Sequence, residues 1–274
     1  MKKIISVFVM LTIGIIGFYH ASALTRNDVC NIKLRTSENI NKTVMGAPIL
    51  VIENDPIQKM VENIQWYGQA SVRIEVAGKF IYIDPYLVTD KEPAELIFIT
   101  HSHGDHFSID DIKKIVNNGT KIYAPKDCCQ KLINEGIVNC KEVTPGQTLN
   151  IDGIKVKVVP AYNIVKNFHA KEKKFVGYLL TMDGVKIYHP GDTERIPEMK
   201  DIKCDIAFMP LGQTYTMQNV EEAVNAVLDT QAKVAIPIHY GMYEGASTDA
   251  QLFKDLLKDK VTVVIKECKN PLQH

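Results

Sequence analysis

The stretch Glu95-Leu-Ile-Phe-Ile-Thr-His-Ser-His-Gly-Asp-His106 joins an apolar run to four potential metal ligands. A continuous apolar run is expected of a strand that is buried on both faces. His101 and His103 point to the same side of an extended segment, and Gly104 permits a turn that redirects the two ligands after it. Three of the eight histidines fall within six positions, which makes a surface loop that happens to be rich in histidine a poor explanation. The stretch therefore predicts a metal site at a strand end, where one cation binds the first pair of ligands and a second cation the next pair.

Further stretches, in the same order along the chain, carry a resemblance to a known family. They are Trp66-Tyr-Gly-Gln-Ala-Ser-Val-Arg-Ile-Glu75, Ile83-Asp-Pro-Tyr86, the His-x-His-x-Asp-His motif at 101–106, Tyr188-His-Pro-Gly-Asp-Thr193 and Pro237-Ile-His-Tyr240. Together they resemble the metallo-β-lactamase superfamily over most of residues 63–274. Within it they most resemble the UlaG-like branch, which includes ascorbate-6-phosphate lactonase and many metal-dependent hydrolases. The resemblance implies an α/β fold, a four-layer αββα sandwich with metals at one edge of the sheets.

Length and charge limit the classes of partner. A chain of 274 residues with 46% hydrophobic content can bury one large core, so a single catalytic domain is expected. Lys+Arg and Asp+Glu both total 32, which gives no global electrostatic reason to expect nucleic acid. The four lysines within residues 166–174 are interpreted as a solvated loop. We expect a small-molecule substrate, and the oligomeric state stays open.

The first 23 residues have the pattern of a secretory signal peptide. Residues 1–3 are positively charged, residues 4–18 are mostly apolar, and Ala21-Ser-Ala23 offers small residues for cleavage. An uncleaved anchor is the alternative, but the stretch is shorter than the roughly 20 apolar residues that span a bilayer. We predict a secreted or cell-surface protein without a stable membrane span after cleavage. The predicted parts are a signal peptide at 1–23, an extension at 24–62 and a metallo-β-lactamase-like hydrolase domain at 63–274.

Six cysteines, at positions 30, 128, 129, 140, 204 and 268, form no close Cys-x-x-Cys arrangement with the histidines. Export permits disulfides, but the sequence cannot give their pairing. We interpret the cysteines as structural or free thiols rather than metal ligands.

Hydrophobic periodicity predicts alternating strands and helices. A β-hairpin is predicted at 72–83 around Gly78, and a helix capped by Ser108 is predicted after the histidine motif. Further strands are predicted at 96–99, 121–124, 154–160, 176–182, 185–189, 234–238 and 261–265, and helices at 220–228, 252–257 and 56–63.

Two later residues are candidate ligands at other strand ends. Asp192 follows Pro190 and Gly191 in a tight turn, and its carboxylate has two oxygens that can bridge two cations. An isolated aspartate there would be ordinary turn chemistry. His239 follows an apolar strand and matches the last metal ligand of the family, although an isolated histidine there would more often be a core residue.

The remaining ligand is where the chain departs from the superfamily pattern. Many members place a histidine shortly after the strand that corresponds to residues 156–160, but here Ala161-Tyr-Asn163 follows. Asn163 could donate its carbonyl oxygen, or His169 could fold back to the metal. We predict His169, with an exposed loop histidine as the competing interpretation.

The predicted ligands form two sets that share Asp192. Metal one takes His101, His103 and Asp192 with His169 or Asn163, and metal two takes Asp105, His106, Asp192 and His239. Two divalent cations that share a water lower its pKa and polarise the group under attack. Zinc suits the ligands, with manganese or iron as alternatives. We predict a binuclear hydrolase that uses a metal-bridging hydroxide on a small ester, lactone, amide or phosphodiester, with Asp105 also in an acid/base role.

Two other functions are alternatives to this one. A nuclease of the same superfamily would need a basic surface or an appended RNA-binding domain, and neither is evident. A nonhydrolytic metal-binding or di-iron redox protein would gain support from a flavin domain, and none is visible.

Residues around the predicted site were also assigned. Asp84 is expected to hold a ligand histidine by a hydrogen bond, with a turn carboxylate as the alternative. Gln213 and Tyr215 could face substrate, Thr216 could cap the following helix, and Tyr240 and Tyr243 could line the pocket mouth. Alternatively, Tyr240 and Tyr243 are ordinary aromatic residues of a loop.

Overall fold

The computed structural model describes residues 55–270. The predicted signal peptide and most of the predicted extension lie outside the described residues. Helix α1 (Pro56–Glu62) begins after Asp55, whose Oδ1 accepts a hydrogen bond of 2.9 Å from Ile57 N, so the predicted short helix is confirmed. Among the helices of residues 55–270, none combines the length and apolar character needed to cross a bilayer.

The first sheet has six strands in the order in which they occur in the chain. Strands β1 to β3 form an antiparallel meander, and β3 to β6 run parallel. Helices α2 and α3 make the crossovers from β4 to β5 and from β5 to β6, whereas β3 and β4 are joined by a loop. The elements are β1 (Ile64–Gly68), β2 (Ser71–Val76), β3 (Lys79–Ile83), β4 (Ala94–Phe98), α2 (Ile109–Ile115), β5 (Lys121–Ala124), α3 (Lys126–Asn134) and β6 (Cys140–Glu142).

The second sheet has seven strands and the same plan. Strands β7 to β10 are antiparallel, and β10 to β13 are parallel, with helices α4 and α5 as crossovers. The elements are β7 (Thr148–Ile151), β8 (Ile154–Pro160), β9 (Val176–Met182), β10 (Val185–His189), β11 (Ile206–Pro210), α4 (Val220–Thr230), β12 (Val234–Ile238), α5 (Asp249–Leu257) and β13 (Thr262–Val263). Two 3-10 turns occur, at Lys171–Lys173 and Pro197–Asp201.

The two sheets pack face to face with helices outside them. Phe98 of β4 and Tyr178 of β9 meet across the interface with ring centroids 4.9 Å apart. Ile97 points the other way and packs in a second cluster with Ile112 of α2 and Leu132 of α3. Strand β4 is therefore buried on both faces, which explains its continuous apolar sequence. The predicted α/β fold, an αββα sandwich, is confirmed.

Several elements were not predicted. They are α3, β6, β7 and β11, and β13 is shorter than the predicted strand at 261–265. A disulfide joins Cys129 of α3 to Cys140 of β6, a pairing that the sequence left open.

Candidate metal centre

The candidate ligands lie where strand ends of both sheets meet. His101 follows β4 of the first sheet, whereas Asp192 follows β10 of the second. Gly191, at φ +66°, makes this meeting possible, because a Cβ there would lie 2.9 Å from both Thr100 Cβ and Val176 O. The turn that brings Asp192 beside the histidine motif therefore requires glycine.

The first group consists of three histidines and one oxygen of Asp192. His103 Nδ1 lies 3.0 Å from His101 Nε2 and 3.2 Å from His169 Nε2. Asp192 Oδ2 lies 3.4 Å from His169 Nε2 and 3.9 Å from His101 Nε2. Ligand atoms at about 2.0–2.1 Å from a tetrahedral cation are about 3.3–3.4 Å apart. The spacing of this group therefore fits one cation.

The second group uses the other oxygen of the same carboxylate. Asp192 Oδ1 lies 3.2 Å from His106 Nε2 and 3.3 Å from His239 Nε2, and these two nitrogens are 3.2 Å apart. Asp105 Oδ2 lies 3.8 and 3.5 Å from the same two nitrogens. Asp192 Oδ1 is buried, and no donor among the described residues forms a hydrogen bond with it. An acceptor of this kind, facing ring nitrogens, fits a second cation.

Asp84 orients two of the histidines. Its Oδ2 accepts hydrogen bonds from His106 Nδ1 at 2.8 Å and from Thr100 Oγ1 at 2.6 Å. Because Thr100 Oγ1 uses its hydrogen on Asp84, it accepts from His101 Nδ1 at 3.0 Å. Both histidines therefore use Nδ1 in these hydrogen bonds and turn Nε2 toward the ligand groups, which is the orientation that a metal ligand needs. Asp84 lies where the sequence predicted it, against a candidate ligand.

His169 joins the first group, and Asn163 does not. His169 is buried, and its Nδ1 donates to Tyr215 O at 3.1 Å, which leaves Nε2 facing His103. The Asn163 amide lies on the Nδ1 side, where its Nδ2 donates to the same carbonyl at 2.7 Å. The structure therefore brings together all seven predicted ligands. They are His101, His103, Asp105, His106, His169, Asp192 and His239.

Glu244 was not predicted and lies behind His239. Its Oε1 is 2.8 Å from His239 Nδ1, and its Oε2 accepts from Thr214 N and Tyr215 N at 2.8 and 2.6 Å. The carboxylate lies against Gly212, where an added Cβ would be 1.9 Å from Glu244 Oε1. Glu244 therefore links the His239 loop to the loop that supports His169. Its position five residues after His239 is the only sequence signal.

Gln69 is a second residue that sequence reasoning missed. It lies in the turn between β1 and β2 at φ +45°, and its Nε2 donates to Asp105 Oδ2 at 3.0 Å. Its backbone carbonyl oxygen accepts hydrogen bonds from His239 N at 2.9 Å and from Trp66 Nε1 at 2.8 Å. The backbone also adopts the left-handed conformation, with positive φ, at Asp84, His169 and His239. Strained backbone of this kind is typical of functional sites.

The two groups differ in their electrostatics. Burial lowers the pKa of His101 and His169, which keeps both rings neutral and able to bind a cation. Burial also acts to lower the pKa of His106, but the carboxylates of Asp192 and Asp84 outweigh it and raise the pKa to about 10. Burial opposes ionisation of Asp192, yet His106 and His239 hold its pKa well below the usual range. The ionised carboxylates of the second group therefore stabilise positive charge at this position.

Two of the predicted surrounding residues have other roles. Gln213 Nε2 donates to Asp249 Oδ2 at 2.7 Å, so its amide is used at the start of α5. Thr216 does not cap α4, because the N-cap is Asn219, whose side chain accepts from Glu222 N. Instead, Thr216 Oγ1 donates to Gly212 O at 2.9 Å.

The predicted aromatic residues divide into buried and exposed ones. Tyr240 is buried and stacks on Trp66 with centroids 5.2 Å apart, so it does not line a pocket mouth. Tyr243 is exposed, and its hydroxyl lies 2.6 Å from that of Tyr86. Tyr215 is partly exposed, and its ring packs against Phe168.

Comparison with known proteins agrees with this geometry. The family model for the beta-lactamase superfamily domain matches residues 63–239. A UPF0173 metal-dependent hydrolase from Thermococcus onnurineus is 33% identical over 217 residues, which cover 74% of this chain and 95% of that protein. Another from Lysinibacillus sphaericus is 32% identical over 221 residues and covers 74% and 96% of the two chains.

Solved structures extend the likeness. A candidate metal-dependent hydrolase from Parabacteroides distasonis has a TM-score of 0.67 at 35% identity, over 75% of this chain and 93% of that one. Igni18, a metallo hydrolase from Ignicoccus hospitalis, has a TM-score of 0.63 at 24% identity over 74% and 94%, which shows the fold alone. The chain belongs to the metallo-β-lactamase superfamily, in its UPF0173 family of metal-dependent hydrolases. It is therefore a metal-dependent hydrolase.

Proposed function

We propose that this hydrolase works with two divalent cations, held side by side by the two ligand groups. The observation that carries the proposal is Asp192, which presents Oδ2 to one group and Oδ1 to the other. Imidazole nitrogens with carboxylate oxygens suit zinc, and manganese or iron are alternatives.

The residues of the site divide the chemical work. When bound, two divalent cations lower the pKa of a water molecule and polarise the group under attack. Burial alone would raise the pKa of Asp105, but contacts with His239 and His106 outweigh it and lower the pKa. Asp105 is therefore ionised, which suits a ligand of the second cation, and we assign it the further role of accepting a proton from the attacking water and returning it to the leaving group. Gln69 Nε2 orients the oxygen that faces the second ligand group.

The proposed substrates are small esters, lactones, amides or phosphodiesters. The finer resemblance to the UlaG-like branch is part of this proposal and favours a lactone. We also propose that the protein is exported, on the strength of the signal-like residues 1–23. An exported enzyme would not readily meet phosphorylated cytoplasmic metabolites.

Elemental analysis combined with turnover tests the proposal. Zinc-loaded wild type should hold two cations per chain and hydrolyse at least one of a panel of chromogenic esters, lactones, β-lactams and phosphodiesters. Asp105→Ala should lose part of the second cation and about 100-fold or more in turnover, because it removes both a ligand and an acid/base group. Asp110→Ala, in exposed surroundings on α2, is the matched control. One cation per chain in the wild type, or full turnover in Asp105→Ala, would refute the binuclear mechanism.

A further inference from the structure

Exposed apolar side chains are concentrated around the metal centre. Of the ten large apolar side chains exposed among residues 55–270, five lie on the three loops that carry or support His169 and His239. We call these five the apolar rim, and they are Ile164, Val165, Phe168, Tyr215 and Tyr243, which are 56, 66, 48, 37 and 58% exposed. Exposed apolar side chains that cluster beside a site commonly mark a binding surface.

The rim is joined to the candidate ligands. The rings of Phe168 and Tyr215 meet edge to face with centroids 4.8 Å apart. Phe168 precedes His169, and Tyr215 O accepts the hydrogen bond that orients the same histidine. Tyr243 precedes Glu244, whose carboxylate accepts from Tyr215 N. Phe168, Tyr215 and Tyr243 are therefore tied to the loops that carry ligands of both groups, whereas Ile164 and Val165 border a neighbouring cavity beside Pro197.

A buried carboxylate holds the aliphatic part of the rim in its exposed position. Glu194 is fully buried, and its Oε2 accepts from Ile164 N and Val165 N, each at 2.7 Å. Its Oε1 accepts from Lys166 N at 3.1 Å. Because three backbone groups are fixed in this way, the side chains of Ile164 and Val165 are held toward solvent by a built loop.

Both described arginines and two of the nearby lysines are engaged elsewhere, which matters for a phosphate substrate, and Lys131 is the nearby cation that acts on a ligand, His103. The described residues contain two arginines, Arg73 and Arg195, and both are held in ion pairs, with Asp90 and Asp229. Lys166 Nζ donates to Met217 O at 2.6 Å, and Lys171 pairs with Glu198. Sites for phosphate esters normally offer free guanidinium or ammonium groups.

We propose that the apolar rim binds the acyl or aryl part of an uncharged carbonyl substrate, an ester, lactone or amide, whose carbonyl lies at the metal centre. Phosphodiesters and phosphorylated compounds are then poor substrates. This inference rests on the proposed function, because it assigns the substrate class of the same site. Apolar walls with a few polar groups at one end are the usual form of a small-molecule site.

Binding of two carboxylates of equal charge tests the rim separately from turnover. Full-length zinc-loaded protein is titrated by calorimetry with octanoate and with acetate, whose carboxylates are the same and whose chains differ by six methylenes. A fully buried methylene strengthens binding by about fourfold, so partial cover by the rim should make octanoate bind at least about tenfold more tightly. The double variant Val165→Ser, Phe168→Ser should reduce that ratio to within about threefold. Val138→Ser, an exposed apolar position after α3, is the matched control and should leave the ratio unchanged.

Three results would overturn the inference. Equal affinities for octanoate and acetate would remove the apolar site, and tighter binding of phenyl phosphate than of octanoate would reverse the substrate class. If the double variant changes the oligomeric state in light scattering and leaves the affinity ratio as it was, the rim is an interface between copies of the chain. A protein that prefers octanoate but hydrolyses no probe would refute the proposed function and leave the rim in place.

Discussion

Asp192 is the residue on which the proposed arrangement of two cations depends. Its oxygens lie 3.2 to 3.4 Å from histidine nitrogens of both groups, so in the proposed binuclear centre one side chain would set the distance between the two positive charges. It reaches this place because Gly191 allows the chain to approach Thr100 closely. The conformation of this turn matters because a carboxylate placed between two like charges reduces their repulsion.

Substitution of His169 and of Asn163 separates the two candidates for the last ligand. His169→Ala should reduce the zinc content to about one per chain, because it removes a nitrogen from the first group. Asn163→Ala should retain two, since its amide contacts Tyr215 O on the other side of the ring. Metal content after dialysis against metal-free buffer measures both. Loss of a zinc from the Asn163 variant alone would reverse the assignment.

Asp84→Asn tests the support of the ligand histidines. An amide can still accept from Thr100 N, but it cannot accept from both Thr100 Oγ1 and His106 Nδ1 as the carboxylate oxygen does. We expect zinc affinity to fall about 10- to 100-fold, the usual effect of losing such a partner. Competition with a chromogenic chelator measures it, with Asp110→Asn as the control. Unchanged affinity would mean that the histidines are oriented without Asp84.

How far the site could be predicted depends on distance along the chain. Six of the seven candidate ligands could be found because each lies at a strand end or within one short motif, whereas His169 lies in the loop between β8 and β9 and was predicted in competition with Asn163. Gln69 and Glu244 could not, since Gln69 meets Asp105 across 36 positions and Glu244 meets Tyr215 across 29. Nearness in sequence also gave one wrong prediction. Tyr240 directly follows His239 but is buried in the core, so it does not line the pocket mouth.

At the scale of elements, predictability followed the strength of the hydrophobic pattern. Strands β9, β10 and β12 were predicted with the bounds observed, because they are apolar and bounded by clear turns. Strand β6 was not predicted because its three residues are mostly exposed, and β7 was not predicted because its alternation extends over only four residues. Helix α3 has Pro125 in place of a side-chain cap, so its start carries little signal.

Close packing between two loops can be tested at Gly212. Gly212→Ala would place a Cβ 1.9 Å from Glu244 Oε1 and force that carboxylate away from His239. Overpacking of this kind costs about 1–3 kcal/mol, and we also expect weaker binding of the second cation. Denaturant unfolding and zinc content of the loaded protein measure the two effects. Gly119→Ala, whose Cβ would meet only an Asn117 side-chain oxygen at 3.3 Å, is the control. Normal zinc content in Gly212→Ala would separate Glu244 from the metal centre.

At the scale of the whole molecule, the ligand groups connect the two sheets. The motif at 101–106 follows β4 in the first sheet, whereas His169, Asp192 and His239 follow β8, β10 and β12 in the second. Each group takes ligands from both sides, so a bound cation closes the edge of the sandwich between sheets that elsewhere meet through apolar packing. Folding and metal binding are expected to be coupled for that reason.

Removal of the cations should therefore destabilise the sandwich. With free zinc at about 100 times its Kd, each bound cation adds about 2.7 kcal/mol to the free energy of unfolding, which a chelator takes away. His106→Ala, which removes the nitrogen that faces Asp192 Oδ1 and His239 Nε2 in the second group, should lose about half of the stabilisation by zinc. Denaturant unfolding of both proteins, with and without chelator, measures the difference, and chelator already saturated with zinc is the control. If the wild type loses its zinc and unfolds at the same denaturant concentration as before, the two sheets are held by their apolar interface alone.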